Sequence, residues 1–182
     1  MATRHILTYD DLAALPADGN RYELLEGELY VTTAPRLRHQ EVVANLHLIL
    51  APYVRRLELG EVYLSPVDVV LTNITVVEPD LLYLDAERLA QQVNDRAVEG
   101  PATLFIEVLS PSTAAADRGI KRQLAARYGA PHYWLVDPDA RLIETYRLVG
   151  NTYEAGPRLE GTAPAALPPF SDLPLDPAAV WR

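Results

Sequence analysis

A glutamate stands in this chain where a glutamate is costly. Glu107 lies within Leu104-Phe-Ile-Glu-Val-Leu109, an apolar run that reads as a central strand buried on both faces. An unpaired buried carboxylate is strongly penalised or takes up a proton. A bound cation removes that penalty; a buried Arg partner, or a strand end that reaches water, would also remove it. Asp80 follows Pro79 in Val76-Val-Glu-Pro-Asp-Leu-Leu-Tyr83. Proline interrupts ladder pairing, so a bulge or strand edge there can expose the acid in a cleft. An Asp and a Glu from two strands form a hard-oxygen set of the kind that takes Mg²⁺ or Mn²⁺. Zinc fits less well, because Cys is absent and His5, His39, His47 and His132 show no HExxH-type spacing. Asp68 is a third acid in an apolar strand. Glu23 and Glu26 sit in a hairpin as ordinary turn acids, with Glu23 able to reach the cleft, and His39 opens a long helix where it can line it.

The basic residues are lopsided. Of 16 Lys and Arg, 15 are Arg, and the single Lys is Lys121. A bias toward Arg codons explains the fifteen. A compact, mobile ammonium can orient a water or stabilise a charged transition state in a way a guanidinium fork does not. The spacing puts Lys121 one position off the Ile120/Leu124 stripe, at the margin of a cleft. A solvated Lys on a helix flank is the plainer reading.

The elements that must hold these groups follow from pattern. Thr8 and Asp11 have capping-box spacing and open a short helix over 9–15, closed by Pro16 and Gly19. Residues 21–33 form two strands about a Glu26-Gly27 turn. The stripe Val42, Val43, Leu46, Ile49, Leu50, Tyr53, Val54, Leu57 predicts a helix over 37–58, with Pro52 a candidate bend. Strands are expected over 61–64, 66–71 and 75–84, a short helix or loop over 85–100, the buried strand over 103–109, and a helix over 117–128 ended by Gly129. Strands at 132–136, 141–148 and 152–155 follow. The Pro- and Ala-rich tail, 156–182, is expected to wrap the surface. Ser110 and Ser112 read as turn and cap residues, since no GxSxG elbow surrounds them. The order describes one α/β (α+β) domain, a central mixed β-sheet flanked by helices.

Composition narrows the classes. The chain has 182 residues, 49% of them hydrophobic, with a net charge of −9. That is one globular domain without a global basic field for nucleic acid. The absence of Cys removes disulfides, thiol nucleophiles and thiolate metal sites. No GxGxxG or GxxxxGK[ST] occurs, which sets aside dinucleotide and P-loop sites. The start of the chain carries no signal-peptide pattern and no segment has the length of a membrane span, so a cytoplasmic protein without membrane attachment is expected.

Six ordered pieces resemble the Uma-type restriction endonuclease family, largely bacterial, within the PD-(D/E)XK nuclease superfamily. They are Arg21-Tyr-Glu-Leu-Leu-Glu-Gly-Glu-Leu29, Ala34-Pro with Arg38-His39, Val77-Glu-Pro-Asp80-Leu, Ile106-Glu-Val-Leu-Ser-Pro-Ser-Thr113, Asp117-Arg-Gly-Ile-Lys121 and Tyr133-Trp-Leu-Val-Asp-Pro138. The resemblance implies a restriction-endonuclease-like fold and a Mg²⁺- or Mn²⁺-dependent endonuclease acting on DNA. Asp80 and Glu107 would be the metal ligands, with Lys121, Glu23 and His39 completing the catalytic set. The superfamily usually places its Lys two residues after the Glu; that position is Leu109 here, and Lys121 would supply the ammonium from the next helix. Nucleic acid would meet a local basic surface of Arg36, Arg38, Arg118 and Arg122. By analogy the partners are DNA and a second copy in a homodimer, with no small organic cofactor. The competing readings are a catalytically inactive nucleic-acid- or protein-binding module on the same fold, and a hydrolase of a different phosphoester.

Overall fold

The computed structural model describes residues 5–16, 18–32 and 34–182. Thr33, the last residue of the predicted hairpin, and Met1–Arg4 lie outside the described residues. Among the described residues no helix is long and apolar enough to cross a membrane.

The capping box forms as its spacing predicts. The Thr8 N–H donates to Asp11 Oδ2 at 2.8 Å, and helix α1 spans Tyr9–Ala13. Strands β1 (Arg21–Leu25) and β2 (Glu28–Thr32) pair antiparallel about Glu26 and Gly27. Both turn residues have positive φ, 54° and 81°, the geometry a two-residue hairpin turn requires. A side chain at Gly27 would also collide with Ile6. Helix α2 covers Leu37–Arg56 with Pro52 inside it.

Strands β3 (Gly60–Leu64), β4 (Val69–Thr72), β5 (Thr75–Val77) and β6 (Leu81–Asp85) come next. The single strand expected over 75–84 is two, and the two belong to different sheets. The cause is Glu78-Pro79-Asp80, where proline has no N–H to give a ladder. Helix α3 (Ala86–Gln92) and β7 (Val98–Glu99) occupy the polar stretch. Strand β8 is Leu104–Val108, buried throughout. The helical segment after it begins at Ala114 rather than Asp117: α4 (Ala114–Ala116), a π-helical turn over Asp117–Lys121, and α5 (Arg122–Arg127). Strands β9 (His132–Asp137), β10 (Leu142–Val149) and β11 (Thr152–Leu159) form a meander.

The central sheet has six strands in the order β11-β10-β9-β8-β6-β3, with β8 and β9 parallel and the other neighbours antiparallel. A five-stranded sheet runs β2-β1-β5-β4-β7. Alternation along the central strands sorts residues onto two faces. Leu81, Tyr83, Leu104, Ile106, Val108, Trp134 and Val136 pack under α2. Leu82, Phe105, Leu109, Tyr133 and Leu135 pack with α5 and with Leu25, Val69 and Val77 of the second sheet. Glu107 has the parity of Phe105, so it faces the π-helical turn and the second sheet. This is the mixed α/β architecture the pattern predicts.

The tail departs from its expected role. Strands β12 (Ala165–Leu167) and β13 (Phe170–Leu175) and helix α6 (Pro177–Val180) place Leu167, Phe170, Leu175, Val180 and Trp181 in the core beneath α2. Trp134 donates its indole N–H to the Pro168 carbonyl at 2.7 Å. The tail is part of the core rather than a surface wrap, because its apolar residues share one buried cluster with α2 and the central strands.

Candidate active site

The β6–β8 register pairs Leu81 with Ile106; one residue further along, Asp80 stands across from Glu107. Asp80 is tied on every side. Its Oδ1 accepts from Arg21 Nη1 at 2.7 Å, and its Oδ2 lies 3.1 Å from His39 Nε2 and accepts the Val108 N–H at 2.8 Å. Burial pushes this carboxyl up, but the His39 hydrogen bond and the Arg21 charge outweigh it and hold it at about 2.

Behind it lies a second group. Lys121 Nζ is 2.7 Å from Glu107 Oε1, 2.9 Å from Glu23 Oε1 and 3.4 Å from Asp117 Oδ1. Lys121 does not sit at a cleft margin: it is buried, because the extra residue of the π-helical turn rotates it off the flank and inward. Burial alone would strip its proton, yet the three carboxylates prevail and hold the ammonium far above its ordinary range. Three acids around one ammonium leave negative charge in excess. Burial, with Asp117, Asp80 and Glu23 adding to it, pushes Glu107 up against the pull of Lys121. Its Oε2 is buried and makes no hydrogen bond.

Glu23 is fixed from the other side by the Glu78 N–H at 2.8 Å. Glu78 is itself buried, and burial, then the charges of Asp68 and Glu23, raise it from an ordinary 4.5 to about 7. The fold therefore binds the Glu78 proton more tightly than the unfolded chain does. The stabilisation is complete below about pH 4.5 and is lost as pH rises through about 7. Urea unfolding of the native chain and of Glu78→Gln at pH 5 and pH 8 should show the native chain's advantage over the variant shrinking at the higher pH; a constant gap would contradict this.

A cavity of about 530 Å³ opens over these groups. Arg21, Arg36, His39, Glu78 and Asp80 line it, together with the loop from Ser110 to Thr113. Glu107, Lys121 and Glu23 lie behind that lining. Of the expected site residues, Asp80, Glu107, Lys121, Glu23 and His39 are thus brought together. Of the four arginines of the expected basic surface, Arg36 lines the cavity. Arg38 is turned to the chain end, donating to the Trp181 and Arg182 carbonyls at 3.0 and 3.2 Å. Arg118 pairs with Glu144 and Asp137, and Arg122 lies over the Tyr146 ring, 4.6 Å from its centroid. These last three are spent on protein partners, since acceptors on β10 and at the C-terminus reach them first, and they do not form the expected surface with Arg36. Asp68 accepts from the Tyr9 hydroxyl at 3.0 Å.

Sequence reasoning missed Arg21, Glu78 and Asp117 as members of the cluster. Each carried a signal: Arg21 shares the strand face of Glu23 by its period of two, Glu78 directly precedes Pro79, and Asp117 is one helical repeat before Lys121.

Among the described residues no three His, Cys, Asp or Glu side chains converge in metal-holding geometry. Mg²⁺ needs fewer, since it is commonly bound by one or two carboxylates and completes its shell with water and substrate phosphate. The unpartnered Glu107 Oε2 beside Asp80 fits that requirement. Glu23, Glu78, Asp80, Glu107 and Asp117 crowd around Arg21 and Lys121, and the upward push on Glu78, Glu107 and Asp117 marks a site that favours added positive charge.

Among solved structures, a protein titled "putative nuclease belonging to DUF820", from Anabaena variabilis, matches with a TM-score of 0.78 at 19% identity, covering 96% of this chain and 97% of that one. At that identity the likeness establishes the fold. No curated protein matches. A family profile described as "Uma2: Putative restriction endonuclease" matches residues 9–178, nearly the whole chain, and the chain belongs to that family.

Proposed function

We propose that this chain is a divalent-metal-dependent endonuclease that hydrolyses phosphodiester bonds of DNA. The observation that carries the reading is the buried, acid-rich cluster with an unpartnered Glu107 oxygen beside Asp80, under a cavity whose wall includes two guanidinium groups. Asp80 and Glu107 would hold Mg²⁺ or Mn²⁺. Such an ion, when bound, polarises a phosphate oxygen and lowers the pKa of an attacking water.

The protein's own groups do the rest. The Val108 N–H and His39 fix the Asp80 carboxylate on the sheet. Lys121 acts through Glu107: its ammonium orients Oε1 and offsets charge, leaving the buried Oε2 without a protein partner. It is a positioning residue in this arrangement. Glu23 and Asp117 hold Lys121 in turn. Arg21, beside Asp80 on the cavity wall, would turn its guanidinium to a phosphate oxygen. Arg36, exposed and without an ion-pair partner among the described residues, would meet a neighbouring phosphate, so affinity should fall as salt rises.

One observation favours the inactive-module reading instead: Asp80 is already engaged by Arg21, His39 and Val108, as a purely structural acid would be. Cleavage of supercoiled plasmid separates the two. The native chain should nick it with Mg²⁺ or Mn²⁺ and not with EDTA, and Glu107→Gln should cut at least about 100-fold more slowly, since even groups that merely support metal ligands cost up to that factor. No cleavage by the native chain under either metal, or equal cleavage by Glu107→Gln, would defeat the nuclease reading.

A further inference from the structure

Strand β2 is the outer strand of the five-stranded sheet, and among the described residues it pairs only with β1. It reads Glu28-Leu-Tyr-Val-Thr32, and its apolar residues are open to solvent: Leu29 at 37%, Tyr30 at 36% and Val31 at 53%. Natural edge strands are ordinarily protected by Lys, Pro, a bulge or a covering loop. The β1–β2 register runs unbroken from Arg21/Thr32 to Leu25/Glu28, and β2 holds neither Lys nor Pro. Among the described residues no strand pairs with its outer edge, and a regular, apolar edge is a template for another strand.

The edge fits a second copy of itself. The hairpin closes with a two-residue turn, so Leu25 and Glu28 are a hydrogen-bonded pair and bonding alternates from there. Glu28, Tyr30 and Thr32 then direct their backbone groups to β1, while Leu29 and Val31 direct theirs outward. In an antiparallel pairing centred on Tyr30, Leu29 stands opposite the partner's Val31 and Val31 opposite the partner's Leu29. All four outward N–H groups and carbonyls are satisfied. Tyr30 meets the partner's Tyr30 as a non-bonded pair, and Glu28 faces the partner's Thr32. No like charges oppose one another, apolar side chains meet on one face, and aromatic rings meet on the other.

We propose that the chain forms a twofold dimer through antiparallel β2–β2 pairing centred on Tyr30, joining two five-stranded sheets into one of ten. The pairing is isologous and uses the β2 edge of both chains, so it closes at two chains. A ladder of five residues is narrow for an interface, which places the pairing among weak, reversible associations, to be sought at concentrations on the order of micromolar and above.

The test uses the full chain. Sedimentation velocity across that concentration range should show reversible exchange between 20.2 kDa monomer and dimer, with no larger species. Leu29→Lys with Val31→Lys sets like charges directly opposite across the dyad and should weaken association at least tenfold, with the monomer's thermal melting nearly unchanged. Because the chain has no cysteine, Tyr30→Cys gives a single thiol. A non-bonded antiparallel pair has Cα atoms about 4.5 Å apart, within disulfide reach. Mild oxidation should link Tyr30→Cys into a covalent dimer far faster than Leu37→Cys, a highly exposed control on α2. A native chain that stays monomeric, open-ended assembly beyond two chains, a dimer untouched by the double lysine variant, or Tyr30→Cys cross-linking no faster than the control would each overturn the proposal. None of these outcomes depends on nuclease activity.

Discussion

Replacing Lys121 with Met should cost the protein about 3–5 kcal/mol, the usual penalty for removing one partner of a buried charge set. Met preserves the volume, so the cost is electrostatic: Glu107, Glu23 and Asp117 would remain buried around an uncharged centre, with Nζ–O distances of 2.7 to 3.4 Å in the native protein marking what is lost. Urea denaturation at pH 7 reads it. Lys121→Arg keeps the charge but forces a larger head group into a site that is only 4% exposed; it should lose less, about 1–3 kcal/mol, the range for overpacking. The cycle of Lys121→Met with Glu107→Gln should be non-additive, the double variant being more stable than the summed losses by about 0.5–3 kcal/mol. If Lys121→Met unfolds at the same urea concentration as the native chain, the lysine is not holding these carboxylates. The order Met worse than Arg also gives the lone lysine a physical reason: three acids converge on a space that suits an ammonium.

Asp80→Ala should be comparably severe and should have a pH signature of its own. It leaves the half-buried Arg21 guanidinium and the Val108 N–H without an acceptor, and takes from His39 its partner. A loss of about 3–5 kcal/mol at neutral pH is expected. The Asp80 carboxyl is held at about 2, below its ordinary 3.8. The fold therefore favours its ionised form, and that stabilisation is present above about pH 4 and lost as pH falls through about 2. The gap between native and Asp80→Ala should be full at pH 7 and narrow steadily below pH 4. Urea titrations across that range check it; a gap independent of pH would mean that the Arg21 and His39 contacts do not stabilise the anion.

These two expectations rest on residues that the bare sequence already singled out, and the reasons are local. Glu107 was legible because it breaks an apolar run that must be buried. Asp80 was legible because proline precedes it at a strand boundary. Lys121 stood out by count. What surrounds them was not legible, because it depends on pairing between distant segments. The split of residues 75–84 into β5 and β6 follows from which sheet each half joins, and no periodicity within ten residues encodes that. The burial of Lys121 turns on one extra residue in a helical turn, which a regular 3.6-residue period places on the flank instead. Arg118 and Arg122 looked like a phosphate-facing pair because they neighbour Lys121 in sequence, yet the turn that rotates Lys121 inward sends them toward β10. The tail misled through composition: its prolines concealed Leu167, Phe170, Leu175, Val180 and Trp181, apolar residues too irregularly spaced to form a stripe.

The central claim is that Asp80 and Glu107 form a cation site, and Mn²⁺ binding tests it most directly. Isothermal titration of Mn²⁺ into the chain without nucleic acid, and into Glu107→Gln, compares a carboxylate with an amide of the same shape. The account predicts saturable binding by the native chain, weakened at least about tenfold by the substitution; no saturable binding by the native chain, or the same affinity in Glu107→Gln, would contradict it.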